Sequence, residues 1–222
     1  MEKYVIGIID DEESSVRRIK FTIKENRPPN IEVEFKEYLL DAYENIKIEN
    51  LKKQILDDIQ NNDITTLIID EKIIRNDTEV EGSKLFNEIK KKVEKFPMII
   101  LTNWSEDVEM TYMIDPDKIY KKIDFFKFES EKSKEQVKNI FINAKVYKEN
   151  REQLERKIQD LEEKISQQGT TEQTETINEI SEHEEQLKQL KPTDYNQIEK
   201  YMKPEEIKEI LEILKKANDL LE

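Results

Sequence analysis

Five short β-rich runs, set apart by amphipathic stretches, occupy the first 130 residues, and this alternation restricts the fold more than any other feature. The runs are 4–9 (YVIGII), 31–35 (IEVEF), 66–69 (TLII), 98–101 (MIIL) and 119–121 (IYK). The first, third and fourth are continuously apolar, as strands are when both faces of a parallel sheet are covered. The second alternates, with Ile31, Val33 and Phe35 on one side, the pattern of an edge strand. Between the runs, helices are expected over about 13–26, 38–60, 82–95, 105–114 and from 131 onward. Asp11, Ser14 and Ser15 offer caps for the first, Gly82-Ser83 opens the third, and Ser105 followed by Glu106-Asp107 opens the fourth. Such alternation predicts an α/β fold with a doubly wound, five-stranded parallel sheet and right-handed crossovers. In sheets of this kind ligands bind beyond the carboxyl ends of the strands.

After residue 130 the pattern is purely helical. Val137, Ile140, Ala144, Tyr147, Leu154, Ile158, Leu161 and Ile165 follow 3-4 spacing, with Arg151 as the one polar interruption. The stretch 167–174 (QQGTTEQT) breaks this seam. A returning helix over about 174–190 carries Ile177, Ile180, Leu187 and Leu190, so a long antiparallel hairpin or coiled coil is expected. Pro192 ends the second arm. Pro204, followed by Glu205 and Glu206, starts a final amphipathic helix with Ile207, Ile210, Leu211, Leu214 and Leu221 on its apolar face. The expected division is a domain over 1–130 whose last helix continues to about 147, a helical hairpin over 131–191, and a linker with a C-terminal helix over 192–222. A seam within one chain and a seam between two chains have the same pattern, and homodimerisation through it stays open.

Composition removes several alternatives. There is no cysteine, which excludes disulfides and thiolate metal sites. Three glycines in 222 residues argue against hairpin-rich all-β architectures. No N-terminal signal-type apolar h-region follows Met1 and no stretch approaches 18 apolar residues, so a soluble, cytoplasmic protein without a membrane span is expected. The formal net charge of −14 opposes passive binding to nucleic acid. No GxxxxGK[ST] or GxGxxG phosphate loop is present, which disfavours nucleotide hydrolysis and dinucleotide binding.

The strand ends carry the chemistry. Strand one ends in Asp10-Asp11-Glu12, strand three in Asp70-Glu71, strand four in Thr102, and strand five runs into Lys121-Lys122. Carboxylates converging on one pocket repel each other unless a cation lies among them. Oxygen ligands of this type suit Mg²⁺, which often bridges to phosphate oxygens. A hydroxyl and an ammonium nearby would bind the remaining oxygens of a phosphoryl group.

The set Asp10-Asp11, Asp70 in the run LIID, Thr102 and Lys122, in that order on those strand ends, resembles the receiver domain of two-component response regulators over about residues 3–147. The resemblance implies a flavodoxin-like sheet and a phosphorylation-dependent signalling protein. It implies Asp70 as phosphoacceptor, with Mg²⁺ held by Asp10, Asp11, Asp70 and the backbone carbonyl of Lys72. Thr102 and Lys122 would bond phosphoryl oxygens. Either Lys121 or Lys122 could be the site lysine, and Lys122 is preferred because Ile123-Asp124-Phe125 then matches the family's following stretch. The family's usual proline after this lysine is replaced by Ile123. Its aromatic switch position falls on Ile119, beside Tyr120. The loop after Asp70 (EKIIRNDTEVEG) is longer than the family's. The implied partners are a histidine kinase or phosphotransfer protein and an effector protein, with no enzyme activity beyond self-phosphorylation and dephosphorylation. Residues 131–222 carry 22 acidic and 16 basic residues, so a protein-interaction output is expected rather than a DNA-binding one.

Two other readings compete. The chain could be a pseudo-receiver adaptor that works without phosphorylation. It could also be a metal-dependent nuclease built on Glu34-Phe35-Lys36, an acid-x-Lys on a strand, with Asp70-Glu71-Lys72 a looser match. The single histidine, His183, lies in a charged arm (SEHEE) and is expected in solvent, and Trp104 could lie over the pocket mouth or pack elsewhere.

Overall fold

A computed structural model describes residues 2–38, 48–75, 78–103, 114–165 and 170–192. The helix expected over 105–114, Trp104, the start of the 38–60 helix, the centre of the hairpin turn and the helix from Pro204 lie outside these residues.

In chain order the elements are β1 (Glu2–Ile9), α1 (Glu13–Asn26), β2 (Ile31–Glu37), α2 (Ile48–Gln60), β3 (Thr66–Asp70), β4 (Lys72–Arg75), β5 (Thr78–Glu81) and α3 (Gly82–Lys90). They continue with β6 (Met98–Thr102), a 3₁₀ turn (Pro116–Lys118), β7 (Ile119–Lys121), the single turn α4 (Lys122–Phe125), α5 (Glu131–Ile165) and α6 (Thr170–Leu187). Strands β2, β1, β3, β6 and β7 form, in that order, one sheet in which every pairing is parallel. This is the doubly wound arrangement in which the order reverses beside the first strand.

The strands are apolar on both sides because both faces are covered. Tyr4, Ile6, Ile8, Ile68, Ile99, Leu101 and Tyr120 join Val16, Ile19 and Ile23 of α1 and Val137, Ile140, Phe141 and Ala144 of α5. The alternate positions, Ile9, Leu67, Ile69, Met98, Ile100 and Ile119, face a second layer with Leu51, Ile55 and Ile59 of α2 and Leu85, Phe86 and Ile89 of α3. Each such aliphatic side chain, fully buried, contributes about 2 kcal/mol relative to exposure. Strand β2 is one of the two edges, and it places Glu32, Glu34 and Glu37 in solvent, which discourages pairing with another chain.

Two features depart from the sequence expectation. The segment after Asp70 is not a plain loop but an antiparallel hairpin, β4 on β5, registered Lys72 to Glu81 and Arg75 to Thr78. The proposed caps of α1 are also used elsewhere. Glu12 occupies the N-cap without a side-chain bond. The Ser15 hydroxyl donates instead to Asp10, and the Asp11 carboxylate accepts from the Ile74 amide.

Helix α5 runs 35 residues and packs on the sheet layers at its start. Ser130 caps it through the Ser133 amide at 3.2 Å, and the Ser133 hydroxyl donates to the Phe125 carbonyl at 2.6 Å. Farther along, Tyr147, Ile158, Leu187 and Leu190 join the second layer, so the seam of α5 and α6 is closed within the chain. Arg151, the polar break in that seam, is buried and donates to the carbonyls of Ile59 and Gln60 at the end of α2. It thus satisfies carbonyls that the last turn of a helix leaves free, at the negative end of the helix dipole. His183 is half-buried rather than fully in solvent.

Candidate functional site

The parallel sheet brings the ends of β1, β3, β6 and β7 to one edge of the molecule. Asp10 follows β1, Asp70 closes β3, Thr102 closes β6, and Lys122 follows β7. All four are buried. The Lys122 ammonium lies 2.9 Å from Asp70 Oδ2 and 3.2 Å from Asp10 Oδ2, so one cation bridges carboxylates from two strands. Lys121 is exposed, so of the two adjacent lysines it is Lys122 that makes this bridge. Thr102 pairs in register with Lys121 across β6 and β7. Ile119 and Tyr120 point into opposite layers, and Tyr120 stacks on Phe125 with ring centroids 6.3 Å apart.

Asp10 is the most firmly held acid. One oxygen accepts from the Glu12 amide at 2.9 Å, and the other takes the Ser15 hydroxyl as well as Lys122. Asp11 is half-buried and accepts from the Ile74 amide of the hairpin at 3.1 Å. One oxygen each from Asp10, Asp11 and Asp70 lies within 4.8 Å of the others. Burial pushes the Asp70 carboxyl up to about 6; Lys122 opposes that rise, and Asp10 and Asp11 reinforce it. Burial works to lower the Lys122 ammonium, but its bonds and charge contacts with Asp70 and Asp10 outweigh this and hold it above its ordinary value. Three carboxylates cluster here, two of them bonded to one ammonium, and all the donors are hard oxygens. That set fits a divalent cation of the Mg²⁺ type.

The segment after Asp70 is fastened at its base. The Glu71 carboxylate accepts from the Ser83 amide at 3.0 Å and the Ser83 hydroxyl at 2.8 Å, capping α3 from outside the helix. The Gly82 amide donates to the Glu71 carbonyl at 2.8 Å. A Cβ on Gly82 would stand 2.1 Å from the Asp70 carbonyl oxygen, so only glycine allows α3 to start this close to β3. Lys72, expected to offer its carbonyl, is the first residue of β4, and its ammonium pairs with Glu79 at 3.8 Å.

Sequence reasoning named Ser15, Glu71 and Gly82 only as a cap, a strand end and a helix start, the last as observed, and missed their contacts at the site and the Ile74 amide. The hairpin had a signal: Asn76-Asp77 lies between the β-rich runs Ile73-Ile74 and Thr78-Glu79-Val80, the composition of a two-residue connection. The acid-x-Lys of β2 forms no comparable group. Glu34 pairs with Lys3 at 2.8 Å and Lys36 with Asp58 at 2.7 Å. Among the described residues, Asp10, Asp11 and Asp70 are the carboxylate cluster that could hold a metal.

The sequence matches no protein-family model. No curated protein matches it. Among solved structures, the RcsB response regulator of Salmonella typhimurium, in a structure described for its conformational dynamism in DNA interaction, aligns with a TM-score of 0.40 at 16% identity, covering 87% of this chain and 95% of that one. Likeness at that level carries no functional inference. The strand order and the placement of the acids and lysine at the strand ends are the features that fit a receiver domain. Among the described residues no helix is long and apolar enough to cross a membrane.

Proposed function

We propose that the chain is a receiver-type signalling protein in which Asp70 accepts a phosphoryl group with the help of Mg²⁺, and in which residues 131–222 act on protein partners. One observation carries the reading: Lys122 bridges Asp70 and Asp10, with Asp11 in the same cluster. A structural ion pair needs one acid per lysine. Here two acids share one lysine and a third lies within the same cluster, which leaves an excess of negative charge that a divalent cation balances.

Asp10 and Asp11, with Asp70 and the Lys72 carbonyl, are the groups that would hold Mg²⁺. When bound, the ion would neutralise charge on the phosphoryl oxygens. An Asp70 oxygen attacks the phosphorus of the donor, and the bond from phosphorus to the donor's leaving nitrogen or oxygen breaks, its electron pair departing with that atom. The product is an acyl phosphate on Asp70. Lys122 moves its hydrogen bond from Asp70 to a phosphoryl oxygen, and the Thr102 hydroxyl donates to another. The phosphoryl group, with a charge of about −2 in place of the carboxylate's single charge, redistributes the contacts of β6 and β7. A phosphohistidine on a kinase or phosphotransfer protein is the donor class. The excess of 22 acids over 16 bases in residues 131–222 supports a protein effector rather than DNA.

The test is mass spectrometry after incubation with acetyl phosphate and Mg²⁺. The wild type should gain one phosphoryl group and Asp70→Asn none. No gain in the wild type leaves the adaptor reading in its place, and an equal gain in the variant places the acceptor elsewhere.

A further inference from the structure

The hairpin β4–β5 lies next to the acidic cluster, and one bond ties its body to it. Asp10 is held by the Glu12 amide, the Ser15 hydroxyl and Lys122, and Asp70 by Lys122. Asp11, the half-buried member, has none of those anchors. Its carboxylate accepts from the Ile74 amide at 3.1 Å. Two neighbouring carboxylates repel it, and water is within its reach, so this amide opposes its outward swing. The donor is well placed for the task. Ile74 stands opposite Glu79 in the hairpin, yet its amide points away from β5 to Asp11. Its side chain is 54% exposed and holds nothing in place.

We propose that the Ile74 amide is a positioning group for the cation site, and that cation and hairpin stabilise each other through Asp11. The inference rests on the Mg²⁺ reading above and adds to it a part of the chain that lies outside the strand ends. One Asp11 oxygen stays on the amide while the other faces the cluster. A cation drawing on the second oxygen fixes the carboxylate and thereby the amide bonded to the first. Coupling of this kind is reciprocal: whatever factor the amide adds to cation affinity, the cation adds to closure of the hairpin against Asp11.

The experiment uses the full chain and Mg²⁺ alone. Mg²⁺ affinity is measured by calorimetry, global stability by thermal melting, and the Ile74 amide by hydrogen exchange. Saturating Mg²⁺ should raise the melting temperature and slow exchange at Ile74 on the order of tenfold. Ile74→Pro deletes this one donor without taking a bond from the β4–β5 ladder, and should weaken Mg²⁺ binding on the order of tenfold. Ile74→Ala keeps the amide and should bind as the wild type does. A melting shift without slowed exchange at Ile74 overturns the coupling and leaves the cation site standing. So does an Ile74→Pro variant with wild-type affinity, or an Ile74→Ala variant as weak as Ile74→Pro. Absence of any melting shift or calorimetric signal in the wild type overturns both.

Discussion

Asp70→Asn should stabilise the metal-free protein at neutral pH, although it removes an ion-pair partner of Lys122. The folded-state carboxyl titrates near 6, against 3.8 for an unperturbed one. Between those values the folded chain binds more protons than the unfolded chain, so stability falls as pH rises through the window. Below about pH 4 both states are protonated and the term vanishes; above about pH 6 it is fully present as a penalty. Two pKa units at 1.36 kcal/mol each amount to about 3 kcal/mol. Asparagine is neutral throughout and behaves as the protonated acid does. The variant should therefore match the wild type near pH 4 and exceed it by about 3 kcal/mol at pH 7–8. Urea unfolding in EDTA at unit pH steps measures the gap directly. Mg²⁺ should close the gap by stabilising the wild type, by about 2.7 kcal/mol at a hundred times its Kd. A gap that does not vary with pH, or an asparagine variant weaker than wild type at pH 7, refutes the assignment of Asp70 as a buried, charge-strained acid.

Further outcomes follow from the same contacts. Lys122→Met leaves two buried carboxylates without a counter-ion and should cost about 3–5 kcal/mol by urea unfolding, with part of the loss recovered in Mg²⁺. Gly82→Ala forces backbone apart at the Asp70 carbonyl; it should cost about 1–3 kcal/mol and lower the phosphoryl gain at Asp70, read by mass spectrometry. Arg151→Leu removes the guanidinium from the Gln60 carbonyl and leaves the Ile59 carbonyl only the Asn62 amide at 3.3 Å. It should cost about 2–4 kcal/mol and speed amide exchange in the last turn of α2, and unchanged exchange there would contradict the capping role. Tyr147→Phe removes the bond to the Leu190 carbonyl at 2.8 Å and should cost about 1 kcal/mol in thermal melting.

The sheet was readable because burial on both faces writes itself into sequence as uninterrupted apolar runs. TLII and MIIL differ from β3 and β6 by one terminal residue each. The site acids and Lys122 were readable for a related reason, since a parallel sheet collects the residues that end its strands. What escaped was whatever depends on a partner distant in the chain. Ser15 has the form of a helix cap, and only the fold turns it toward Asp10. Glu71 looks like one more surface acid until α3 begins beside it. Arg151 interrupts a heptad pattern, and its function is defined by carbonyls at residues 59 and 60. The hairpin was obscured because its strands are short and each has one apolar residue buried, Ile73 and Val80, among charged neighbours.

The bridge made by Lys122 also sets an order in time. Asp10 and Asp70 lie 112 and 52 residues before the lysine that neutralises them. At a synthesis rate of about 5–20 residues per second, Asp70 is made roughly 3–10 s before Lys122. During that interval the lysine that bridges them has not been made, so β1 and β3 lack the counter-ion with which both acids are buried and charged. Docking of the central strands with both acids charged is therefore expected to follow β7 unless a metal ion takes the place of the lysine. A chain shortened before residue 122 should lose more than an edge of its sheet: it should keep its two central acids in water, and with them an open centre.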